Sequence, residues 1–173
     1  MTYHDTRLAM SALLDRPAVK RLSDALAAVG SSARIIELAE TARTAADAAA
    51  SLGVAQGAIV KSLVFAVEGK AIMALVAGDR RCDTQALGRA LGIAGKIGRA
   101  DADLVRAATG YSIGGVAPLG HATPLPLVID SSLRRFATVY AAAGHPHCVF
   151  ATCVDELASL TGGAVVEDIA VEG

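Results

Sequence analysis

Apolar positions recur along this chain with two periods. Val19, Leu22, Leu26 and Val29 sit at helical spacing behind Asp15-Arg16-Pro17, where a proline is tolerated in a first turn. Gly30 then stops the predicted helix. Ala33 to Leu38 reads as a short strand. Thr44-Ala45-Ala46-Asp47 resembles a capping box that opens an alanine-rich helix closed by Gly53. Ala58 to Val67 is apolar and β-branched, as a buried strand would be. With the turn Glu68-Gly69-Lys70 and the partner run Ala71 to Ala77, it predicts a hairpin. Asp83 and Asp101 are placed to cap helices ending at Gly92 and near Gly110. A loop follows from Tyr111 to Thr123. Further strands are predicted at Leu125 to Ile129, Val139 to Ala143, Val149 to Thr152 and Ala164 to Ile169. A box-like Thr152 to Asp155 opens a helix running to Leu160, which Gly162-Gly163 breaks.

Strands and helices interleave without a regular βα alternation. The expected fold class is therefore α/β in the mixed α+β sense: one compact domain over residues 1–173, with a mixed sheet surrounded by helices. No GxGxxG opens a helix, which removes support for a dinucleotide site. Composition narrows the classes further. Apolar residues make up 53% of the chain, ample for a core, and the formal net charge of −1 argues against a protein that coats DNA or RNA. It leaves room for one that grips only an RNA end. The three cysteines form no CxxC and read as reduced hydrophobes. Met1 to Asp15 has no secretory apolar run, and no stretch approaches the ~20 apolar residues of a membrane span, so a cytoplasmic protein is expected.

Two features carry chemistry. Strand alternation places Lys61 on the face of Ile59, Leu63 and Phe65. An ammonium there either reaches solvent at the strand edge or faces a polar cavity that receives an anion. The segment Gly110 to His121 holds four glycines and a proline in twelve residues. It is either a long connection or a cradle. Gly114 and Gly115 can take positive φ, Pro118 stiffens the exit, and free N–H groups can hold an oxyanion. His145-Pro146-His147-Cys148 offers metal-capable side chains on one segment only, so no metal is expected. The basic pairs Lys20-Arg21, Arg80-Arg81 and Arg134-Arg135 read as solvated faces, any of which could touch phosphate.

Ile59-Val60-Lys61-Ser62-Leu63-Val64-Phe65, Ala77-Gly78-Asp79, Thr109-Gly110-Tyr111, Gly114 to Gly120 and Ile129-Asp130 together resemble the ordered signature of the YbaK/prolyl-tRNA-synthetase-associated (ProX-like) aminoacyl-tRNA editing family. The similarity runs from about Val19 to Ile169. It implies a free-standing deacylase that hydrolyses the ester of mischarged tRNA without a cofactor. The partner is then the 3′-terminal adenosine end of the tRNA, with prolyl-tRNA synthetase as a candidate recruiter and no membrane or DNA involved. The family's essential lysine falls on Lys61 and its GxxxP element on Gly114 to Pro118. Ser62, Ile113, Gly114, Gly115, Val116, Ala117, Pro118, His121 and Asp130 are the expected substrate-binding set, with His121 and Ala117 as pocket walls and Asp130 either orienting Lys61 or capping the next turn. Ser62, Ala117 and His121 stand where the alanine- and cysteine-clearing members carry Asn, Ser and Gln. A related free-standing subgroup that clears small aliphatic or hydroxylated amino acids is therefore a closer likeness than either. The competing readings are a non-catalytic tRNA- or synthetase-binding module of the same fold, and a metal-dependent hydrolase built on His145, His147 and Cys148.

Overall fold

A computed structural model describes residues 12–173. The sequence reading of the first residues falls largely on 1–11, outside the described part. Helix α1 (Pro17–Ala28) buries Val19, Leu22 and Leu26, the predicted stripe. The helix α2 (Ala45–Leu52) starts where the Thr44 hydroxyl accepts the Asp47 N–H at 3.1 Å and ends at Gly53, φ 69°. Asp83 caps α3 (Thr84–Leu91) through the N–H groups of Gln85 and Ala86, and Asp101 caps α4 (Ala102–Thr109) through that of Leu104. The expected box at Thr152 is not formed. Thr152 remains in its strand, paired with Val139. The cap position of α5 (Val154–Thr161) falls to Cys153, which makes no side-chain capping bond.

The hairpin is the centre of the molecule. Strands β2 (Ile59–Val67) and β3 (Lys70–Ala77) pair antiparallel from Val60↔Ala77 to Val67↔Lys70. Glu68 and Gly69 both take positive φ, 50° and 77°, as a two-residue turn matched to strand twist requires. The other strands are β1 (Ile35–Glu37), β4 (Arg80–Cys82), β5 (Gly98–Arg99), β6 (Leu127–Asp130), β7 (Val139–His145), β8 (Cys148–Thr152), β9 (Ala164–Val166) and β10 (Ala170–Glu172). The main sheet runs β1-β8-β7-β2-β3-β6-β9, with β5 added beside β2, while β4 and β10 form a separate antiparallel pair. The joins β2–β7, β3–β6 and β6–β9 are parallel and the rest antiparallel. The sheet is mixed, and the expected α/β class holds.

Both faces of β3 are buried, which explains its unbroken apolar run. Met73 and Leu75 pack toward α1, α4, α5 and the glycine loop, whose Tyr111, Ala117 and Leu119 are themselves core residues. Ile72, Ala74 and Val76 face the other way, against Leu87 of α3. A third cluster joins α2 to Ile59 and Val149 on that second face. The two helices there therefore cover separate stretches of sheet. Lys61 lies between Ile59, in the α2 cluster, and Leu63, beside the α3 cluster. None of the helices among the described residues is long and apolar enough to cross a membrane.

Candidate functional site

A fork in the sheet makes the site. Strand β2 pairs with β7 only at Ile59↔Tyr140 and Val60↔Ala141, and with β5 only at Phe65↔Arg99 and Ala66↔Gly98. Between those joins, residues Lys61 to Val64 have β3 on one side and, among the described residues, no strand on the other. Beyond Ala141, β7 no longer pairs with β2, and its ladder with β8 carries a register shift between Ala142 and His145. The opening is a cleft of about 940 Å³, lined by Lys61, Ser62, Ile113, Gly114 and Val116 of the expected set and by His145.

Lys61 is half-buried and donates to the main-chain carbonyl of Arg80. Burial lowers its pKa, against the opposing pull of Asp79 and Cys82. Asp79 does not pair with it directly. Arg135 holds both Asp79 carboxylate oxygens at 2.9 and 2.7 Å and keeps that carboxyl below its usual range. Neighbouring Ser62 points to the opposite face by strand alternation, and its hydroxyl is buried with no partner among the described residues. It is a free donor and acceptor on the cleft wall.

The glycine loop is fixed by side chains instead of a ladder. The Tyr111 hydroxyl donates to Leu119 C=O at 2.8 Å, and Arg21 of α1 donates to Gly120 C=O at 3.2 Å. The two glycines of the loop serve different ends. Gly114 has φ 100° and faces the cleft. Gly115 has no positive φ. It is glycine because a Cβ would sit 2.8 Å from the main-chain nitrogen of His145 and 2.9 Å from the Gly144 carbonyl carbon. Its N–H already donates to Ser112 C=O, so it is not a free oxyanion donor.

Other expectations are corrected by burial. Ala117 is fully buried in the core beneath the loop, and Pro118 is buried with it, so neither forms a cleft wall. His121 lies behind the loop against α1. Its Nε2 is 2.8 Å from Ala117 C=O, its ring meets Tyr111 edge-on, and burial lowers its pKa. Asp130 ends β6 and receives the N–H and hydroxyl of Ser132, so it caps the next turn; its other oxygen is buried without a partner among the described residues.

His145 was read from sequence only as part of a metal cluster, yet it belongs to the cleft. The His147 N–H donates to its Nδ1 at 3.0 Å, which leaves Nε2 to carry the proton of the neutral ring. Burial, then His147 and Arg16, lower its pKa against the opposing Glu37. The ring is thus a neutral N–H donor. The sequence signal was a histidine at a strand end, inside the turn that the glycine loop packs on. Among the described residues no three of His, Cys, Asp and Glu are placed to hold a metal. The Cys82 thiol at the cleft is pushed by burial up to about 11, and so is protonated at neutral pH and a poor nucleophile.

A ladder-fixed lysine, a glycine loop and a neutral imidazole around an open sheet fork define a cleft suited to positioning a polar ester. The family model described as aminoacyl-tRNA editing domain matches residues 39–160. The chain belongs to the aminoacyl-tRNA editing domain family. It is 31% identical over 136 residues to the uncharacterised protein YwhH of Bacillus subtilis (strain 168), covering 78% of this chain and 85% of that one. It is 28% identical over 126 residues (72% and 76%) to EbsC of Enterococcus faecalis (strain ATCC 700802 / V583), a candidate Cys-tRNA(Pro)/Cys-tRNA(Cys) deacylase. A solved structure described as a candidate trans-editing enzyme for prolyl-tRNA synthetase superimposes with a TM-score of 0.81 at 39% identity, covering 91% of this chain and 98% of that one.

Proposed function

We propose that this protein is a trans-editing deacylase that hydrolyses the ester of mischarged tRNA, with tRNA(Pro) carrying alanine, 2-aminobutyrate, serine, threonine or cysteine as its substrate class. The observation that supports this most is that one cleft is lined by Lys61 from one face of β2 and by Ser62, Gly114 and His145 from the other, and contains no activated nucleophile among the described residues. An aminoacyl ester is already activated. A water, or a hydroxyl of the terminal ribose, can attack it if the protein positions the carbonyl and stabilises the charge that develops there. The Lys61 ammonium and the His145 Nε2–H are donors for that charge or for the terminal phosphate. The Ser62 hydroxyl can read the aminoacyl group, and Ile113, 65% exposed at the lip, offers it an apolar contact. No cofactor is needed for these steps. The work belongs in the cytoplasm, where tRNA is charged, and prolyl-tRNA synthetase is the partner whose errors it would clear. A synthetase pocket separates small side chains by only about 1–3 kcal/mol per methylene, so a second sieve has a purpose.

The test is a panel of mischarged tRNAs incubated with the purified protein, with and without chelator. Hydrolysis of the small aminoacyl esters in both conditions supports the reading. Loss with chelator and recovery with zinc would favour the metal-hydrolase alternative. Binding of tRNA without cleavage of any ester would leave the non-catalytic module.

A further inference from the structure

The cleft is much more basic than the chain. The molecule carries 16 basic and 17 acidic side chains, yet among the described residues Arg43, Arg81 and Arg99 line the cleft with Lys61 and no Asp or Glu does. All three arginines are exposed, and none makes a salt bridge or side-chain hydrogen bond among the described residues. Arg134 and Arg135, by contrast, are tied to Asp155 and Asp79. Asp79 acts on Lys61 from outside the lining but is already held by Arg135, so unpaired cations converging on an opening that no carboxylate lines among the described residues leave a local positive field that the net charge hides.

The aromatic residues add a second, independent observation. The chain has only three Phe and three Tyr, and Phe65 and Tyr140 both line this cleft. Directly paired residues share a sheet face. Phe65 pairs with Arg99 and Tyr140 with Ile59, so both rings and Arg99 lie on the Lys61 face. Guanidinium groups beside aromatic rings along an open groove are how proteins hold single-stranded nucleic acid, with the charges on phosphates and the rings under bases. A cleft of about 940 Å³ also exceeds what one small aminoacyl group needs.

The geometry points to a track for single-stranded RNA on the Lys61 face of the cleft: Arg43, Arg81 and Arg99 bind phosphates of the nucleotides preceding the terminal adenosine, and Phe65 and Tyr140 stack their bases. This rests on the proposed deacylase activity and adds the residues by which the RNA end is gripped.

The experiment compares wild type with the double variant Arg81→Gln/Arg99→Gln, and with Arg134→Gln as a control outside the cleft. Two substrates are used, a mischarged tRNA and the same amino acid esterified to adenosine, which has no phosphate. Binding of an uncharged RNA oligonucleotide ending in CCA is followed by fluorescence anisotropy. For the double variant, KM on tRNA and Kd for the oligonucleotide rise roughly tenfold or more. The slope of log Kd against log salt becomes shallower by about 1.4, at about 0.7 per lost single-strand phosphate contact. The loss on the adenosine ester is at least tenfold smaller than on tRNA, and Arg134→Gln matches wild type. Unchanged Kd and salt slope in the double variant overturn the track, as do equal losses on the two substrates. If wild type binds the oligonucleotide through these arginines but cleaves no ester, the deacylase reading fails and the track stands.

Discussion

The two walls of the cleft are ordered by opposite means. Lys61 and Ser62 stand on a strand locked to β3 by an eight-pair ladder, so their directions follow from alternation alone. Gly114 and Val116 stand on a loop with no ladder, held by Tyr111, Arg21 and the close approach of Gly115 to Gly144 and His145. Strand β2 tolerates the loss of a side chain, because its main-chain bonds remain. The loop depends on single contacts, so small changes there should move the whole wall. The charge proposed to act on the ester is on the robust wall, and the surface proposed to fit the aminoacyl group is on the fragile one.

The largest effect should come from Lys61→Ala. Deacylation falls by about 10²–10³ in kcat, as when a charge-stabilising donor is removed, while circular dichroism and melting temperature stay near wild type. Near-normal turnover in the folded variant would remove Lys61 from the chemistry. Because burial lowers its pKa, the wild-type lysine loses its proton at lower pH than an exposed one. Enzyme-dependent deacylation, corrected for spontaneous hydrolysis, should therefore decline below the ordinary lysine range. A Lys61→Arg variant with residual activity should lack that decline, since its guanidinium stays charged. Stability has the opposite trend: the folded state binds fewer protons than the unfolded one between the two pKa values, so Lys61 makes the fold more stable as pH rises through that window.

Gly115→Val should be next. Its Cβ cannot fit against the His145 and Gly144 main chain without moving the loop. A stability loss of about 1–3 kcal/mol is expected, with at least a tenfold drop in kcat/KM. Thermal melting and single-turnover rates check it together. Normal activity would mean that the loop wall is not part of the site. Tyr111→Phe leaves the Leu119 carbonyl without its buried donor and should cost about 1–3 kcal/mol, with KM rising more than kcat falls. Gly114→Ala is the mildest, about 1 kcal/mol, because the nearest atom to its Cβ is Pro146 Cγ at 3.8 Å and only the positive φ resists.

The same contrast explains what could be read from sequence. Strand β2, its hairpin and the Asp83, Asp101 and Thr44 caps were legible because each rests on local rules, alternation or a short side chain before a helix. The direction of Lys61 came from the same alternation. The loop was visible as glycine-rich, but which of its residues face the cleft depends on non-local packing. Ala117 and Pro118 are buried beneath it, and His121 turns back onto Ala117 C=O. His145 joined the site only through the β7 register shift and the approach of Gly115, neither of which leaves a periodic mark. Strand β4, short and basic, forms because β10 pairs with it from the far end of the chain.

An editing cleft must remove wrong amino acids and spare the right one. The most direct measurement is the pair of first-order deacylation rates for alanyl-tRNA(Pro) and prolyl-tRNA(Pro) at equal enzyme concentration. Proline lacks a primary amine and holds its nitrogen in a ring, so it can be refused by shape and by a missing hydrogen bond together. Rejection of that kind reaches roughly 10⁴-fold in favourable sites. The alanyl ester should be cleaved at least roughly a hundredfold faster than its spontaneous rate, while the prolyl ester decays no faster than without enzyme. Efficient cleavage of prolyl-tRNA(Pro) would contradict it, because such an enzyme would destroy the product it is meant to protect.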